Sequence, residues 1–148
     1  MQPLNFPSYT FRVKNNENNA LIFDGIRKKF VVLTPEEWVR QHVVEYLTLD
    51  KKYPLSHINV EKQIKVNGLN KRYDIIVFNS DGSIRLLVEC KAPLVNISQE
   101  TFDQIARYNF NLNATYLMVT NGLTHYYCKM LIDEEKYQFL KEIPEFRR

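Results

Sequence analysis

Tyr73-Asp74-Ile75-Ile76-Val77-Phe78-Asn79-Ser80-Asp81-Gly82-Ser83-Ile84-Arg85-Leu86-Leu87-Val88-Glu89-Cys90-Lys91 sets two apolar runs on either side of a polar turn. Runs of this length, bounded by Asn, Ser, Asp and Gly, read as strands over Tyr73–Asn79 and Ile84–Lys91. Asp81-Gly82 tolerates the positive φ of a type I′ turn, so the strands should close into a hairpin. With that loop, Ser80 pairs with Ser83, Phe78 with Arg85, Ile76 with Leu87, and Asp74 with Glu89. A four-residue loop over Ser80–Ser83 gives the same register. Directly opposed side chains have Cβ atoms about 4.5–5.5 Å apart, so the turn by itself should bring two carboxylates together.

Two facing anions on a half-buried sheet repel. Protonation, water or a bridging cation relieves the repulsion. Oxygen ligands at this spacing suit a hard divalent cation such as Mg²⁺. Lys91 lies two residues beyond Glu89 and points to the same face, whereas Cys90 points with Val88 toward the core. A metal so held polarises a phosphate and acidifies a bound water, and an adjacent ammonium offsets developing charge. E-x-K alone is a weak signal, because Glu134-Glu135-Lys136 is another instance and falls where a helix is expected. Read on their own, the same residues also suit a charged sheet edge.

Working outward, the Asn15–Asn19 cluster separates apolar runs Tyr9–Val13 and Ala20–Phe23 and reads as a hairpin loop, with a further short strand over Phe30–Leu33. Thr34, Pro35 and Glu37 form a helix start with a T-x-x-E capping box. Trp38, Val39, Val43, Tyr46 and Leu47 then recur at helical spacing, and the helix should end near Leu49. Ile58–Val66 alternates with period two and reads as a strand ending at Asn67-Gly68. After Ala92-Pro93, Ser98 caps a helix to about Asn111, with Phe102, Ile105, Ala106 and Asn109 as its core stripe. Ala114–Thr120 and Leu123–Met130 flank the turn Asn121-Gly122, and a last helix is expected from about Asp133 to Lys141. The fold class is therefore α/β (α+β): a mixed central sheet flanked by helices, with an N-terminal β-hairpin addition.

The chain has 148 residues, 45% of them hydrophobic, and fits one domain over residues 1–148. No run of about 18 apolar residues predicts a membrane span, and the N-terminus lacks the charged and apolar regions of a secretory signal. A cytoplasmic location is expected, with Cys90 and Cys128 as reduced, buried thiols. The formal charge of +3 is a mild basic excess compatible with a polyanion. His42, His57 and His125 have neither metal-ligand spacing nor a nucleophile partner. Arg27-Lys28-Lys29 is the densest basic run, but Arg40, Lys71, Arg72 and Arg107 fall closer to the expected site and are the better candidates for phosphate contacts.

Asp74 followed by Glu89-Cys90-Lys91, on a hairpin flanked by helices, resembles the PD-(D/E)XK nuclease core. The wider pattern is similar to the N-terminal nuclease domain of type I restriction enzyme R subunits. It is carried by Leu33-Thr34-Pro35-Glu36-Glu37-Trp38-Val39-Arg40-Gln41, Lys71-Arg72-Tyr73-Asp74, Val88-Glu89-Cys90-Lys91-Ala92-Pro93, Gln104-Ile105-Ala106-Arg107-Tyr108-Asn109 and Thr120-Asn121-Gly122. The resemblance implies a restriction-endonuclease-like fold and a DNA endonuclease dependent on Mg²⁺, or on Mn²⁺ in its place. It implies Asp74, Glu89 and the Cys90 backbone carbonyl as metal ligands and Lys91 as the catalytic lysine. It also suggests a metal role for a glutamate on the first core helix, for which Glu37 is the candidate beside its capping role. Gln104 and Tyr108 match a Q-x-x-x-Y element that borders the site. Tyr73 stands where the motif's name has proline. No G-x-x-x-x-G-K-[ST] phosphate loop occurs, so ATP-driven translocation is not expected of this polypeptide. DNA is the implied partner, with a second copy or separate motor and specificity subunits as further ones. The alternative is a non-catalytic DNA-binding or assembly module that keeps the nuclease fold.

Overall fold

The computed structural model describes residues 1–147; Arg148 lies outside the described residues. Among the described residues, nine strands form two sheets. β1 (Val13–Asn15), β2 (Ala20–Asp24) and β3 (Lys29–Val32) make a small antiparallel sheet. β4 (Ile58–Val66), β5 (Leu69–Phe78), β6 (Ile84–Cys90), β7 (Tyr116–Thr120), β8 (His125–Leu131) and β9 (Lys136–Leu140) make the main sheet in sequence order. All neighbours in it are antiparallel except β6 and β7. That parallel pair needs a crossover, and α2 (Gln99–Asn109) supplies it. The architecture is α+β with a mixed central sheet, as expected.

The two helices cover opposite faces. α1 (Pro35–Glu45), extended by a π-type turn over Tyr46–Asp50, buries Val39, Val43, Val44 and Leu47 against Ile75, Val77, Leu86, Val88 and Met118. α2 buries Phe102 and Ala106 against Ile76, Leu87, Leu117 and Val119. The consecutive pairs Ile75/Ile76 and Leu87/Val88 thus split between the faces, which explains an unbroken apolar run in a central strand. α1 starts as its sequence dictates: Thr34 Oγ1 accepts the Glu37 N–H at 3.0 Å and Pro35 takes the first turn. Such a cap contributes about 1 kcal/mol. The small sheet is clamped to α1 by Arg27, which pairs with Asp24 at the end of β2 and with Glu37.

Two expectations change. The last segment is not a helix: a short turn over Ile132–Glu134 ends at left-handed Glu135, and β9 follows. The run of Asp and Glu at 133–135 mimics a helix start, but Tyr137 and Phe139 stack on Phe102 with ring centroids 5.3 and 5.0 Å away. Tyr9 and Phe11 lie outside β1 and pack on α1, against His42 and Trp38. The N-terminal addition is the expected hairpin, here β1 and β2, joined by the expected short third strand as β3. Among the described residues, no helix is long and apolar enough to cross a membrane.

Candidate functional site

The β5–β6 hairpin reaches the expected register by an unexpected route. Gly82 N donates to Asn79 O at 3.0 Å and Asn79 N to Ser83 O at 2.8 Å, so the turn spans Ser80–Gly82 and not two residues. Gly82 has φ +88, which a residue with Cβ rarely adopts. This turn alone would slip the pairing by one and send Glu89 to the wrong face. A bulge between Val77 and Phe78, with Arg85 as the extra residue of β6, restores Ile76↔Leu87 and Ile75↔Val88.

The ladder stops there, one step short of an Asp74–Glu89 backbone pair. Instead, the Asp74 side chain takes over the ladder's role: Oδ2 accepts the Cys90 N–H at 2.7 Å. On the other side of Asp74, β4 is distorted at Glu61, whose φ is +54. Val60↔Ile75 and Lys62↔Tyr73 flank this point. Val60 and Ile75 belong to the α1 side of the core, while Tyr73 belongs to the α2 side and donates its hydroxyl to Asn109 Oδ1 at 3.0 Å. The β4–β5 ribbon therefore twists sharply at Glu61 and Asp74, and the Asp74 carboxylate is held at the twist.

Arg40 is the cation at this point. Its side chain is 4% exposed, with Nη1 at 2.6 Å from Glu37, and Nη2 at 3.1, 2.7 and 2.9 Å from Glu36, Glu61 and Asp74. Arg40, a candidate phosphate contact from the sequence, is buried and surrounded by acids. Glu37 also receives Arg27 Nη2 and Gln41 Nε2, so its carboxylate is fully engaged as a structural anion. Its neighbour Glu36 is better placed for a metal role. Glu36 has a 48% exposed side chain and a raised pKa, from partial burial and then from Asp74 beside it. Glu36 and Glu61 were not singled out from the sequence. The i, i+4 spacing of Glu36 and Arg40 offered a signal; Glu61 offered none, because a positive φ at glutamate is not written in local sequence.

Glu89 has its own internal cation. Its Oε1 lies 3.4 Å from Lys71 Nζ, which sits over the Tyr108 ring at 3.9 Å and the Tyr73 ring at 4.9 Å. Lys71 thus links Glu89 to the exposed Tyr108 of α2, with Gln104 one turn earlier on the same helix and also exposed. Lys91 is half-buried, and its backbone N–H donates to Thr120 O at 2.8 Å. Arg72 is exposed, 3.6 Å from Glu61 Oε2. Arg107 faces a groove with Asp103, Phe110 and Tyr137 on the α2–β9 side.

Cys90 marks the centre of this arrangement. Burial raises its thiol pKa well above the ordinary value; Asp74 adds to that, Arg40 opposes it, and Glu36 and Glu89 add further. By contact, Asp74 holds the Cys90 N–H, Glu36 shares Arg40 Nη2 with Asp74, and Glu89 precedes Cys90 on β6. Carboxylate oxygens and the Cys90 carbonyl are the hard donors that Mg²⁺ takes, so the donor set fits such an ion in kind. Among the described residues, no group of three or more acidic, histidine or cysteine side chains is placed to hold a metal ion. Asp74 and Glu89 are each turned to a basic residue.

A family model described as the type I restriction enzyme R protein N terminus matches residues 35–144. That span contains every site residue above and excludes the small sheet. No curated protein sequence gives a significant match.

Proposed function

The chain belongs to the family of the type I restriction enzyme R protein N terminus, and from that premise we propose that it is a metal-dependent DNA endonuclease domain. Asp74, Glu89, Glu36 and the Cys90 carbonyl are its metal ligands, and Lys91 is its catalytic lysine. The observation that carries this reading is the Asp74 carboxylate anchored on the Cys90 N–H at 2.7 Å, inside the Glu89-Cys90-Lys91 segment. That hydrogen bond fixes the acid of one strand against the motif of the next, with Glu36 and Glu89 nearby.

A bound Mg²⁺ or Mn²⁺ supplies Lewis-acid stabilisation of the scissile phosphate and a more acidic water. The Lys91 ammonium orients the attacking water and offsets charge building on the phosphate. Lys71 and Arg72 hold the DNA beside Asp74, and Lys71 frees Glu89 as it does so. Gln104 and Tyr108 border the substrate on the α2 side. Membership of this family supports DNA and other subunits of a restriction assembly as its partners.

Incubation of supercoiled and linear DNA with the pure protein tests this reading. Cleavage should require Mg²⁺ or Mn²⁺, stop on chelation, and disappear in Lys91→Ala while the fold persists. A folded sample that neither cuts DNA nor binds either ion refutes it. One observation favours a second reading, a non-catalytic DNA-binding module: Arg40 and Lys71 already neutralise Asp74 and Glu89 without an ion. Salt-sensitive DNA binding that survives Lys91→Ala, with no cleavage in either metal, would select it.

A further inference from the structure

Asp74 and Glu89 are each met by a cation, but the two cations are held differently. Arg40 is 4% exposed and touches Glu36, Glu37, Glu61 and Asp74. It cannot leave without stranding all of them. Lys71 has a single acid. Among the described residues its ion pair is with Glu89 alone, at 3.4 Å. Its other neighbours are the neutral rings of Tyr108 and Tyr73, 3.9 and 4.9 Å from Nζ.

Those rings make a resting place rather than a lock. Tyr73 is fixed, because its hydroxyl donates to Asn109 Oδ1. Tyr108 stands on α2 and is 47% exposed. The ammonium therefore lies between a mostly buried carboxylate and a surface ring, on a side chain that is itself 26% exposed. An ion pair this open holds weakly. A lysine also carries its charge as a compact point on a flexible stem, which can swing where a guanidinium forked among several acids cannot. Arg72, next on the strand, faces Glu61 instead.

Glu89 cannot serve two cations equally. A divalent ion that takes its oxygens meets the Lys71 ammonium as a like charge at close range. When Lys71 moves off, Glu89 is the one acid left uncovered, and the ion then covers it. A DNA phosphate makes this exchange favourable, because it offers the ammonium another anion. The charges balance: Lys71 passes from carboxylate to phosphate as the metal passes to the carboxylate.

We infer that Lys71 is a positioning residue that occupies Glu89 in the free protein and yields it to the metal when a DNA phosphate arrives, so that DNA and the divalent ion bind with positive coupling through this one side chain. The inference rests on the metal-dependent nuclease reading and deepens it: the free chain withholds a metal ligand until substrate is present.

The test is a calorimetric titration of Mn²⁺ into the full-length chain, alone and saturated with a short duplex. Every protein carries Lys91→Ala, so that the duplex stays whole. With Lys71 in place, DNA should tighten Mn²⁺ binding by roughly five- to 150-fold, the usual range of such couplings, and Mn²⁺ should tighten DNA binding by the same factor. Lys71→Met keeps the stem on the two rings and deletes the charge. It should bind Mn²⁺ more tightly without DNA, and its coupling factor should fall at least about fivefold. Phosphates that touch the ion directly add the same coupling to both proteins, so the difference between the two factors is the readout. Arg72→Met removes a neighbouring charge. It should flatten the salt dependence of DNA binding by about one ion and keep the coupling. Melting temperatures verify folding, and Lys71→Gln replaces Lys71→Met if the latter does not fold. Equal coupling factors with and without Lys71 overturn the inference, since Lys71 would then act only as one more positive charge. An equal loss of coupling in Arg72→Met overturns it too. Mn²⁺ and DNA that bind independently of each other sink this inference alone. No Mn²⁺ bound by any of the proteins, with or without DNA, sinks the nuclease reading itself.

Discussion

Arg40 Nη2 lies 2.9 Å from Asp74 Oδ1, on a side chain that is 4% exposed. A cation buried this deeply is the fold's own counter-ion for the site. Removing it strands Glu37, Glu61 and Asp74 beside one another in a poorly solvated place. Arg40→Met keeps much of the apolar stem and deletes the charge. We expect a loss of about 3–5 kcal/mol in metal-free buffer, the usual result of breaking a buried pair. Divalent ions should recover more stability in the variant than in the wild type, because they replace the missing charge. Denaturant melts with and without Mg²⁺ measure both effects. An equal Mg²⁺ effect on the two proteins would show that the ion does not bind at these acids.

The proposed metal site assigns different parts to the neighbouring glutamates of α1. Glu37 takes three donors, Arg27, Arg40 and Gln41, whereas Glu36 is half-exposed beside Asp74. Glu37→Gln should therefore destabilise the fold by about 1–3 kcal/mol, the range for disrupting a buried charged hydrogen-bond network, and leave Mg²⁺ affinity nearly intact once folded. Glu36→Gln should do the reverse: little change in melting, and weaker binding in a Mg²⁺ titration followed by calorimetry. Weaker Mg²⁺ binding in Glu37→Gln alone would hand the ligand role back to Glu37.

What was legible beforehand follows from how local each determinant is. The apolar runs of β5 and β6 and the Asp-Gly turn lie within twenty residues, so their pairing and the segment Glu89-Cys90-Lys91 could be read directly. The turn itself was misread, yet Ile76 still faces Leu87, because the bulge at Arg85 compensates. The segment 133–141 was misread because its acidic start carries helix signals, while its partner Phe102 is remote in sequence. Glu61 and the burial of Arg40 were invisible for the same reason: both depend on α1, β4 and β5 meeting in space. Site membership that depends on one strand pair was accessible; membership that depends on three elements was not.

Tyr73 and Asn109 form a buried polar pair that ties the ribbon to α2. The tyrosine hydroxyl donates to Asn109 Oδ1 at 3.0 Å, and Asn109 Nδ2 donates to Ile105 O at 2.8 Å. Both residues are almost inaccessible, at 1% and 0%. Tyr73→Phe leaves the amide oxygen without a partner, and we expect a loss of about 1–3 kcal/mol. Asn109→Leu in the Tyr73→Phe background removes the orphan and should restore part of that loss. A double variant less stable than the sum of the two single changes would contradict this account.

The N-terminal segment should loosen in mild acid. His125 Nε2 lies 2.6 Å from Asn5 O, and Nδ1 lies 2.7 Å from Thr120 Oγ1, which also accepts the Gly122 N–H at 2.9 Å. The consistent tautomer is neutral, with Nε2–H donating to Asn5 and Nδ1 accepting from Thr120. Phe6 closes over the ring at 4.3 Å. Burial lowers the His125 pKa, and the Asn5 carbonyl only partly opposes it; His42 is lowered by burial too, against the Trp38 carbonyl. A depressed histidine pKa means that the unfolded chain takes up protons first as pH falls below about 6.5. Stability should therefore be full above that value and decline as pH drops toward the folded-state pKa values. Thermal melts between pH 7.5 and pH 5 should show the decline, and His125→Gln, which keeps a donor and an acceptor but cannot titrate, should flatten it. The protection factor of the Asn5 amide, whose N–H donates to Gly122 O at 2.8 Å, should fall over the same range in the wild type and not in His125→Gln, once the intrinsic slowing of exchange in acid is divided out. Protection that falls equally in both proteins would move the acid sensitivity away from His125.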